Sequence, residues 1–167
     1  MHKYTQSEFE AIPVIDGIKN CPKGDYSDIK NFGNSCHFGN SCHFGSSCQF
    51  GSSCHFGNLC QFGSSCHFGS SCHFGNGCWF GNWCHFEGHR TRPGYPYLSI
   101  SGAGSANRTT YFFNTVDGII VRAGCFVGDI DEFRDKVLGE YDATNVNAIQ
   151  YLGMADIAVA TFGDSKC

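Results

Sequence analysis

The sequence between residues 32 and 86 repeats every six residues without interruption. The nine units are FGNSCH, FGNSCH, FGSSCQ, FGSSCH, FGNLCQ, FGSSCH, FGSSCH, FGNGCW and FGNWCH, and a tenth phenylalanine, Phe86, follows them. No Asp, Glu, Lys or Arg occurs in this stretch. A disordered tract is normally charged or poor in aromatic residues, so phenylalanines in strict register indicate a packed interior.

The order of residues within each unit predicts a strand followed by a corner. Cys36 and Phe38 are two residues apart, so on an extended segment both point inward, while His37 between them points outward. Gly39 comes next, and we predict that it marks a corner where the backbone must be free of Cβ restriction.

This pattern resembles the left-handed β-helix hexapeptide motif, which has an aliphatic residue, Gly, two free positions, a small residue and a further free position. Phe takes the aliphatic position here and Cys the small one. The resemblance implies a triangular coil of three units, hence about three coils with rungs about 4.8 Å apart. Because Phe is bulkier than Leu or Ile, a two-faced solenoid of twelve residues per turn is the alternative.

The cysteines of the repeat are predicted to fill the core. Nine of the twelve cysteines, Cys36 to Cys84, are metrically spaced, whereas a secreted disulfide scaffold expects irregular spacing and a signal peptide. A zinc site needs four ligands that converge, and a buried ladder does not converge. We therefore expect these thiols to act as small hydrophobic groups, with no metal and no cofactor bound.

An eighteen-residue coil would stack the sixth residues of the units in three outward columns. These are His37, His55 and His73; His43, Gln61 and Trp79; and Gln49, His67 and His85. A stacked imidazole column could hold a transition metal or respond to pH, but Gln and Trp interrupt two columns, which favours a solvated or interfacial ladder. Trp79 and Trp83 are predicted at an interface, and we expect a homo-oligomer, a trimer or another number.

The remaining sequence is divided into three parts by its pattern. Residues 1–31 are predicted to cap the solenoid and residues 96–167 to form an α+β domain, and residues 87–95 are predicted to connect the solenoid to that domain. That domain is expected to hold three antiparallel strands (YLSIS, RTTYFFNT and IIVRAG) and two helices. The first helix is capped by Asp129 with Glu132, and the second runs from near Thr144 or Asn145 to Gly163 with inward residues Val146, Ile149, Leu152 and Ile157. The fold class is thus mixed, a short left-handed triangular β-helix followed by α+β.

The segment SGAGSANRTTYFFNTVDGIIVRAGCFVGDIDEFRDKV resembles a module of uncharacterised bacterial and phage proteins. Their pattern is similar to GSxxRT, then GCFxG, an acidic stretch and EFxxKV, and some carry the same hexapeptide prism in front. The resemblance implies a phage or mobile-element origin. It supplies no established catalytic residues.

A glycine-rich turn within this module is the predicted ligand site. The candidate ligand-binding residues are Ser105, Asn107, Arg108, Thr109 and Arg122, since free backbone N–H groups beside two arginines suit a phosphate or carboxylate. The alternative is a tight turn whose arginines pair with nearby Asp residues. Cys125 could act as a nucleophile with His85 or His89 as its base, but we expect it to be buried, and no catalytic residue is predicted.

Charge and hydropathy restrict the function. A net charge of -4 and unclustered arginines make duplex nucleic acid a poor partner. Without a signal peptide or an apolar run of about 20 residues, we expect no membrane association and a location in the bacterial cytoplasm.

The predicted function is that of a non-enzymatic oligomeric binding protein. It would be a phage counter-defence inhibitor that sequesters a signalling nucleotide or blocks a host defence protein. One alternative is a hexapeptide-repeat acyltransferase that uses coenzyme A, which the uninterrupted repeat disfavours because those enzymes carry a loop histidine. Another is a structural scaffold or spike element, for which three coils are short.

Overall fold

The structure is a computed structural model that describes residues 1–163. The chain forms two compact units, Met1–Gly94 and Tyr95–Cys167. The last four residues of the predicted domain 96–167 lie outside the described residues.

The first unit is a three-sided β-solenoid of very short strands. Its elements are α1 (Gln6–Ala11), β1 (Val14–Ile15), β2 (Ile18–Cys21), β3 (Asp25–Tyr26), β4 (Asn31–Phe32), β5 (Cys36–Phe38), β6 (His43–Phe44), β7 (Gln49–Phe50), β8 (His55–Phe56), β9 (Gln61–Phe62), β10 (His67–Phe68), β11 (His73–Phe74), β12 (Trp79–Phe80), β13 (His85–Phe86) and β14 (His89–Arg90).

The strands form three sheets, in the orders β1-β2-β5-β8-β11, β14-β13-β10-β7-β4 and β12-β9-β6-β3. Within the repeat the parallel partners are eighteen residues apart, as in His37 with His55 and His43 with Gln61. One coil therefore consists of three hexapeptides, and the twelve-residue alternative is wrong.

The solenoid has about four coils instead of the predicted three, because the residues before the repeat add one. Strand β2 pairs with β5, β3 with β6 and β4 with β7, all in parallel. Cys21 and Tyr26 occupy interior positions, 4% and 0% exposed, where later coils have Phe. Helix α1 carries Phe9, whose ring packs edge-on against Phe32 at 5.0 Å.

Stacked phenylalanine rings fill the interior. Along each edge of the prism the rings lie nearly parallel, with centroids 4.6 to 5.3 Å apart from one coil to the next. Rings on different edges meet at steep angles, as Phe56 and Phe62 do at 87°. Offset stacks and edge-on contacts are both favourable aromatic geometries, which explains how so many rings share one interior.

From Gly45 to Gly81, the glycine after each Phe is required by the close approach of the preceding coil, which corrects the predicted reason for these glycines. A Cβ on Gly69 would lie 2.6 Å from Gly51 C and Ser52 N of the preceding coil. The left-handed corner instead falls at the fourth position of each unit, where Ser35 has φ 53° and Ser53 has φ 58°.

In at least five units the third position is not free either. The Asn34 Oδ1 atom accepts a hydrogen bond of 2.9 Å from the backbone N–H of Ser52, and Asn40 Oδ1 accepts one of 2.8 Å from Asn58. Ser46 Oγ likewise accepts a hydrogen bond of 3.2 Å from the backbone N–H of Ser64. Only a short side chain with an oxygen at this reach can satisfy the N–H group one coil along, which explains the choice of Asn or Ser.

The second unit is an antiparallel sheet covered by two helices. Its elements are β15 (Tyr97–Ile100), β16 (Thr110–Thr115), β17 (Gly118–Ala123), β18 (Phe126–Asp129), α2 (Ile130–Glu140) and α3 (Val146–Phe162), and the sheet order is β15-β16-β17-β18. Strand β18 is a fourth strand that the predicted three did not include. The capping box of Asp129 with Glu132 is confirmed.

Helix α3 begins after its N-cap Asn145 and ends before Gly163, as predicted, but its inward face is different. Val146, Ile149 and Ile157 are 62%, 58% and 53% exposed. The buried side chains are Ala148, Met154, Ala155 and Ala158. The helix is apolar nearly all round, so periodicity does not select a face, and the small alanines allow the closest packing on the sheet. Among the described residues, no helix is long and apolar enough to cross a membrane.

Candidate ligand cleft in the second unit

The predicted glycine-rich turn borders a cleft of about 200 Å³. The turn, the β17–β18 hairpin, α2 and α3 all contribute to its walls. The lining residues are Ser105, Ala106, Arg108, Thr110, Ala123, Gly124, Cys125, Phe126, Phe133, Lys136, Val137, Glu140, Tyr141 and Tyr151. The cleft thus combines two cations, one carboxylate and several aromatic rings.

The backbone N–H groups of the turn bond to the chain itself. The Gly104 N–H donates to Gln150 Oε1 at 2.7 Å, and the Ser105 N–H donates to the Tyr151 hydroxyl at 3.1 Å. Gly104 has φ 80°, and a Cβ there would collide with the Tyr151 ring. The turn is therefore fixed to α3 as a wall of the cleft, and these two amides are not available to an anion.

Arg108 and Lys136 provide the positive charge. The Arg108 Nη1 atom lies 3.2 Å from the position that a Cβ on Gly124 would occupy, so the guanidinium rests on the β17–β18 turn. Lys136 Nζ is 2.6 Å from Glu140 Oε1, and this hydrogen bond raises the pKa of Lys136. Both groups border the same cleft, with the Glu140 carboxylate beside Lys136.

Arg122 does not join this site. Adjacent strand residues point to opposite faces of a sheet, and Arg122 stands beside Val121, which packs toward α2 and α3. The Arg122 guanidinium is 4.4 Å from the Tyr111 ring centroid, and the residue is 5% exposed. The structure therefore brings Ser105 and Arg108 to the cleft but places Arg122 on the other face.

The other two predicted ligand-binding residues, Asn107 and Thr109, do not line the cleft. Thr109 Oγ1 is 2.7 Å from Ser101 Oγ, and Asn107 takes a left-handed φ of 51° in the turn. Lys136 and Tyr151 were missed, because nothing in the local sequence ties helical residues to a turn some thirty or more positions earlier. Cys125 lines the cleft and is exposed, so the expectation of a buried thiol is wrong.

The cysteines of the repeat pack in the interior as predicted. Those from Cys36 to Cys72 and Cys84 are at most 1% exposed, whereas Cys78 is partly exposed. Thiol groups point at glycine carbonyls of the preceding coil, as Cys72 Sγ does to Gly51 O at 3.3 Å. Contact with the stacked Cys60 thiol and burial raise the pKa of Cys42. A neutral thiol is a small apolar group with one weak donor, which this position accommodates.

The histidines form stacked columns. The His37 and His55 ring centroids are 4.4 Å apart, those of His55 and His73 are 4.8 Å apart, and those of His67 and His85 are 4.0 Å apart. Stacked rings present their nitrogens side by side instead of toward one point. Among residues 1–163, no group of three or more His, Cys, Asp or Glu side chains is arranged to hold a metal ion.

The stacked histidines predict a loss of stability in mild acid. Burial, with the neighbouring His37, lowers the pKa of His55, and burial, with His67 and Arg90, lowers that of His85. The unfolded chain therefore binds more protons below its ordinary histidine pKa of about 6.5, and stability falls as pH drops through this range.

We expect the urea midpoint to be lower at pH 5.5 than at pH 7.5. The double variant His55→Gln and His85→Gln should reduce this dependence, because Gln occupies equivalent slots at Gln49 and Gln61. An equal pH dependence in the double variant would contradict the assignment.

Two tryptophans and a leucine interrupt the pattern of small polar residues on the solenoid surface. Trp79 is 66%, Leu59 59% and Trp83 40% exposed. Leu59 and Trp83 hold left-handed corners with φ 60° and 61°, which bulky residues rarely adopt. The Arg90 guanidinium carbon lies 4.8 Å from the centroid of the Trp83 ring. Trp79 is the last residue of its outward column.

Comparison with protein-family models, curated proteins and solved structures finds no match. The function proposed for the chain therefore rests on its own sites.

Proposed function

We propose that the chain is a non-enzymatic binding protein that takes a small anionic ligand, of the nucleotide class, in the cleft of the second unit. The observation that carries this proposal is the pairing of Arg108 and Lys136 with the rings of Phe126, Tyr141 and Tyr151 around one cleft. Guanidinium and ammonium groups suit phosphate oxygens, and flat rings suit a base.

The proposed biological setting is phage counter-defence. The resemblance of residues 101–137 to a module of phage proteins supports it, and sequestering a signalling nucleotide of the host would be the mode of action in the bacterial cytoplasm. Covering a host defence protein is the alternative mode. The solenoid would serve to assemble the chain into a homo-oligomer, for which the exposed Trp79 and Trp83 are candidate contacts.

The cleft predicts that Arg108→Ala weakens binding of AMP by about tenfold or more, since a charge-assisted hydrogen bond contributes roughly 1.5–3 kcal/mol. Isothermal titration of AMP into the protein measures this. The matched control is Arg134→Gln, which removes one charge from α2, because Arg134 pairs with Asp156 at 2.7 Å and does not line the cleft.

Adenosine serves as the second control, because it keeps the base and lacks the phosphate. We expect it to bind more weakly than AMP. Equal affinity of the wild type and Arg108→Ala for AMP, or equal affinity for AMP and adenosine, would contradict the proposal. Coenzyme A that binds and is turned over as an acyl donor would replace it with the acyltransferase alternative.

A further inference from the structure

The sheet face of β3, β6, β9 and β12 carries a trough that the function proposed above does not use. Its volume is about 360 Å³, and residues of the first unit alone line it. Asp25, His43, Gln61 and Trp79 are strand partners in a single outward column along its floor. With rungs about 4.8 Å apart, the column spans about 14 Å from the carboxylate to the indole.

The two ends of the column have different chemistry. At one end the Trp79 indole is 66% exposed and presents a flat apolar platform. At the other end Asp25 Oδ1 accepts the Ser27 N–H at 2.9 Å, and hydrogen bonds from Ser27 lower the pKa of Asp25. Between them, an imidazole and a primary amide can each donate and accept hydrogen bonds.

The charges near the trough favour a neutral ligand over an anion. The lining residues are Asp25, Ser27, His43, Phe44, Gln61, Phe62, Gly63 and Trp79, without a lysine or arginine. Lys3 Nζ is paired with Asp28 at 2.9 Å, and Lys30 Nζ donates to the Ser46 carbonyl at 2.9 Å. The trough therefore differs from the cleft of the second unit, which has two cations.

A neutral polyol matches this set of groups. Sugar hydroxyls donate to a carboxylate and exchange hydrogen bonds with an amide and an imidazole, while the C–H face of a pyranose ring packs on an indole. The spacing of the rungs is close to the length of one pyranose unit in a chain. Neither of the other two columns ends in an indole, because one ends in His73 and in the other Arg90 follows His85.

We propose that this trough binds a neutral oligosaccharide of about three sugar units. Trp79 stacks on one ring, and Asp25, His43 and Gln61 bond to hydroxyl groups along the chain. The site is independent of the cleft in the second unit. It assigns Trp79 to a carbohydrate ligand and leaves Trp83 as the candidate contact between subunits, so a subunit contact through Trp79 would contradict it.

The test is a fluorescence titration in the Trp83→Phe background, where Trp79 is the one remaining indole. The probes are maltotriose, cellotriose and tri-N-acetylchitotriose, each titrated to millimolar concentration. We expect a saturable change in emission with at least one of them. Calorimetry with that sugar should show that Trp79→Gln weakens binding by about tenfold or more, since a stacked ring and its apolar contact are lost.

His73→Gln is the matched control, because it makes the same kind of change in the same coil on another face, and it should bind as the wild type does. Gln occupies this slot at Gln49 and Gln61, so both variants are compatible with the fold. The proposal is overturned if no probe gives a saturable change or if Trp79→Gln binds normally. It is also overturned if the Trp79 emission changes with protein concentration alone, which would indicate a subunit contact.

Discussion

Replacing Phe62 with alanine is expected to lower the free energy of unfolding by about 3–5 kcal/mol. The Phe62 ring is 1% exposed and lies between Phe44 at 4.8 Å and Phe80 at 4.7 Å, almost parallel to both. It also meets Phe56 and Phe68 edge-on at 4.9 and 5.1 Å. The neighbouring rings are held by their own coils and cannot collapse into the space, so the cavity remains.

Urea denaturation of the purified protein measures this effect. Gln61→Ala is the control, because Gln61 precedes Phe62 on the same strand and points outward, and it should change the free energy by no more than about 0.5 kcal/mol. A loss below about 1 kcal/mol for Phe62→Ala would show that the rings are not packed as described.

The second large effect is expected at Gly69, where alanine should cost about 3 kcal/mol, the upper end of the usual range for overpacking. The new methyl group would lie 2.6 Å from Gly51 C and Ser52 N and 2.9 Å from Gly51 O, which are all backbone atoms. Backbone in the preceding coil is held by hydrogen bonds such as Gly69 N–H to Phe50 O at 3.0 Å, so it cannot move away without breaking them.

Gly33 provides a matched control for this change. It has the same place in its unit and lies two coils earlier in the column that contains Gly51 and Gly69, but a Cβ there meets nothing within 4 Å. Thermal unfolding should therefore show Gly33→Ala close to the wild type and Gly69→Ala with a much lower midpoint. Equal midpoints for the two variants would contradict the account of coil stacking.

The repeat predicted the solenoid well because its pattern carries two periods. One is the two-residue alternation of a strand, and the other is the six-residue unit. Alternation placed Cys and Phe inside, and the resemblance to the left-handed β-helix motif implied the eighteen-residue register that the strand pairs show. The coil at residues 18–32 escaped prediction because Cys21 and Tyr26 replace Phe at interior positions and because the offset from Cys21 to Phe38 is seventeen residues. A search for the hexapeptide letters cannot find a coil built from other residues.

The role of each residue within the six-residue unit was harder to predict than the length of the unit. Gly after each Phe could have served a corner or a close approach, and only the position of the neighbouring coil distinguishes the two reasons. The third position appeared free because its hydrogen bond joins residues eighteen apart. In α3, apolar residues on every side gave no signal for the alanine face that packs inward.

The sequence predicted some of the residues that line the cleft and missed others. Ser105 and Arg108 lie in the turn that the sequence marked, but Lys136 and Tyr151 come from α2 and α3, and only the packing of these helices brings them there. The alternation of side chains along a strand could have shown that Arg122 does not face the cleft. Tyr111 pairs with Arg122 and Phe112 pairs with Val121, so the arginine lies on the face opposite the helix-covered core.

Native mass spectrometry of the protein, purified from bacterial cells under reducing conditions, tests the proposed function most directly. The account predicts an oligomer that carries an added mass of nucleotide size, or acquires one when AMP is supplied, and it predicts that Arg108→Ala keeps the oligomer and loses the added mass. A chain that takes up no nucleotide, or a variant that retains the added mass in full, would contradict it.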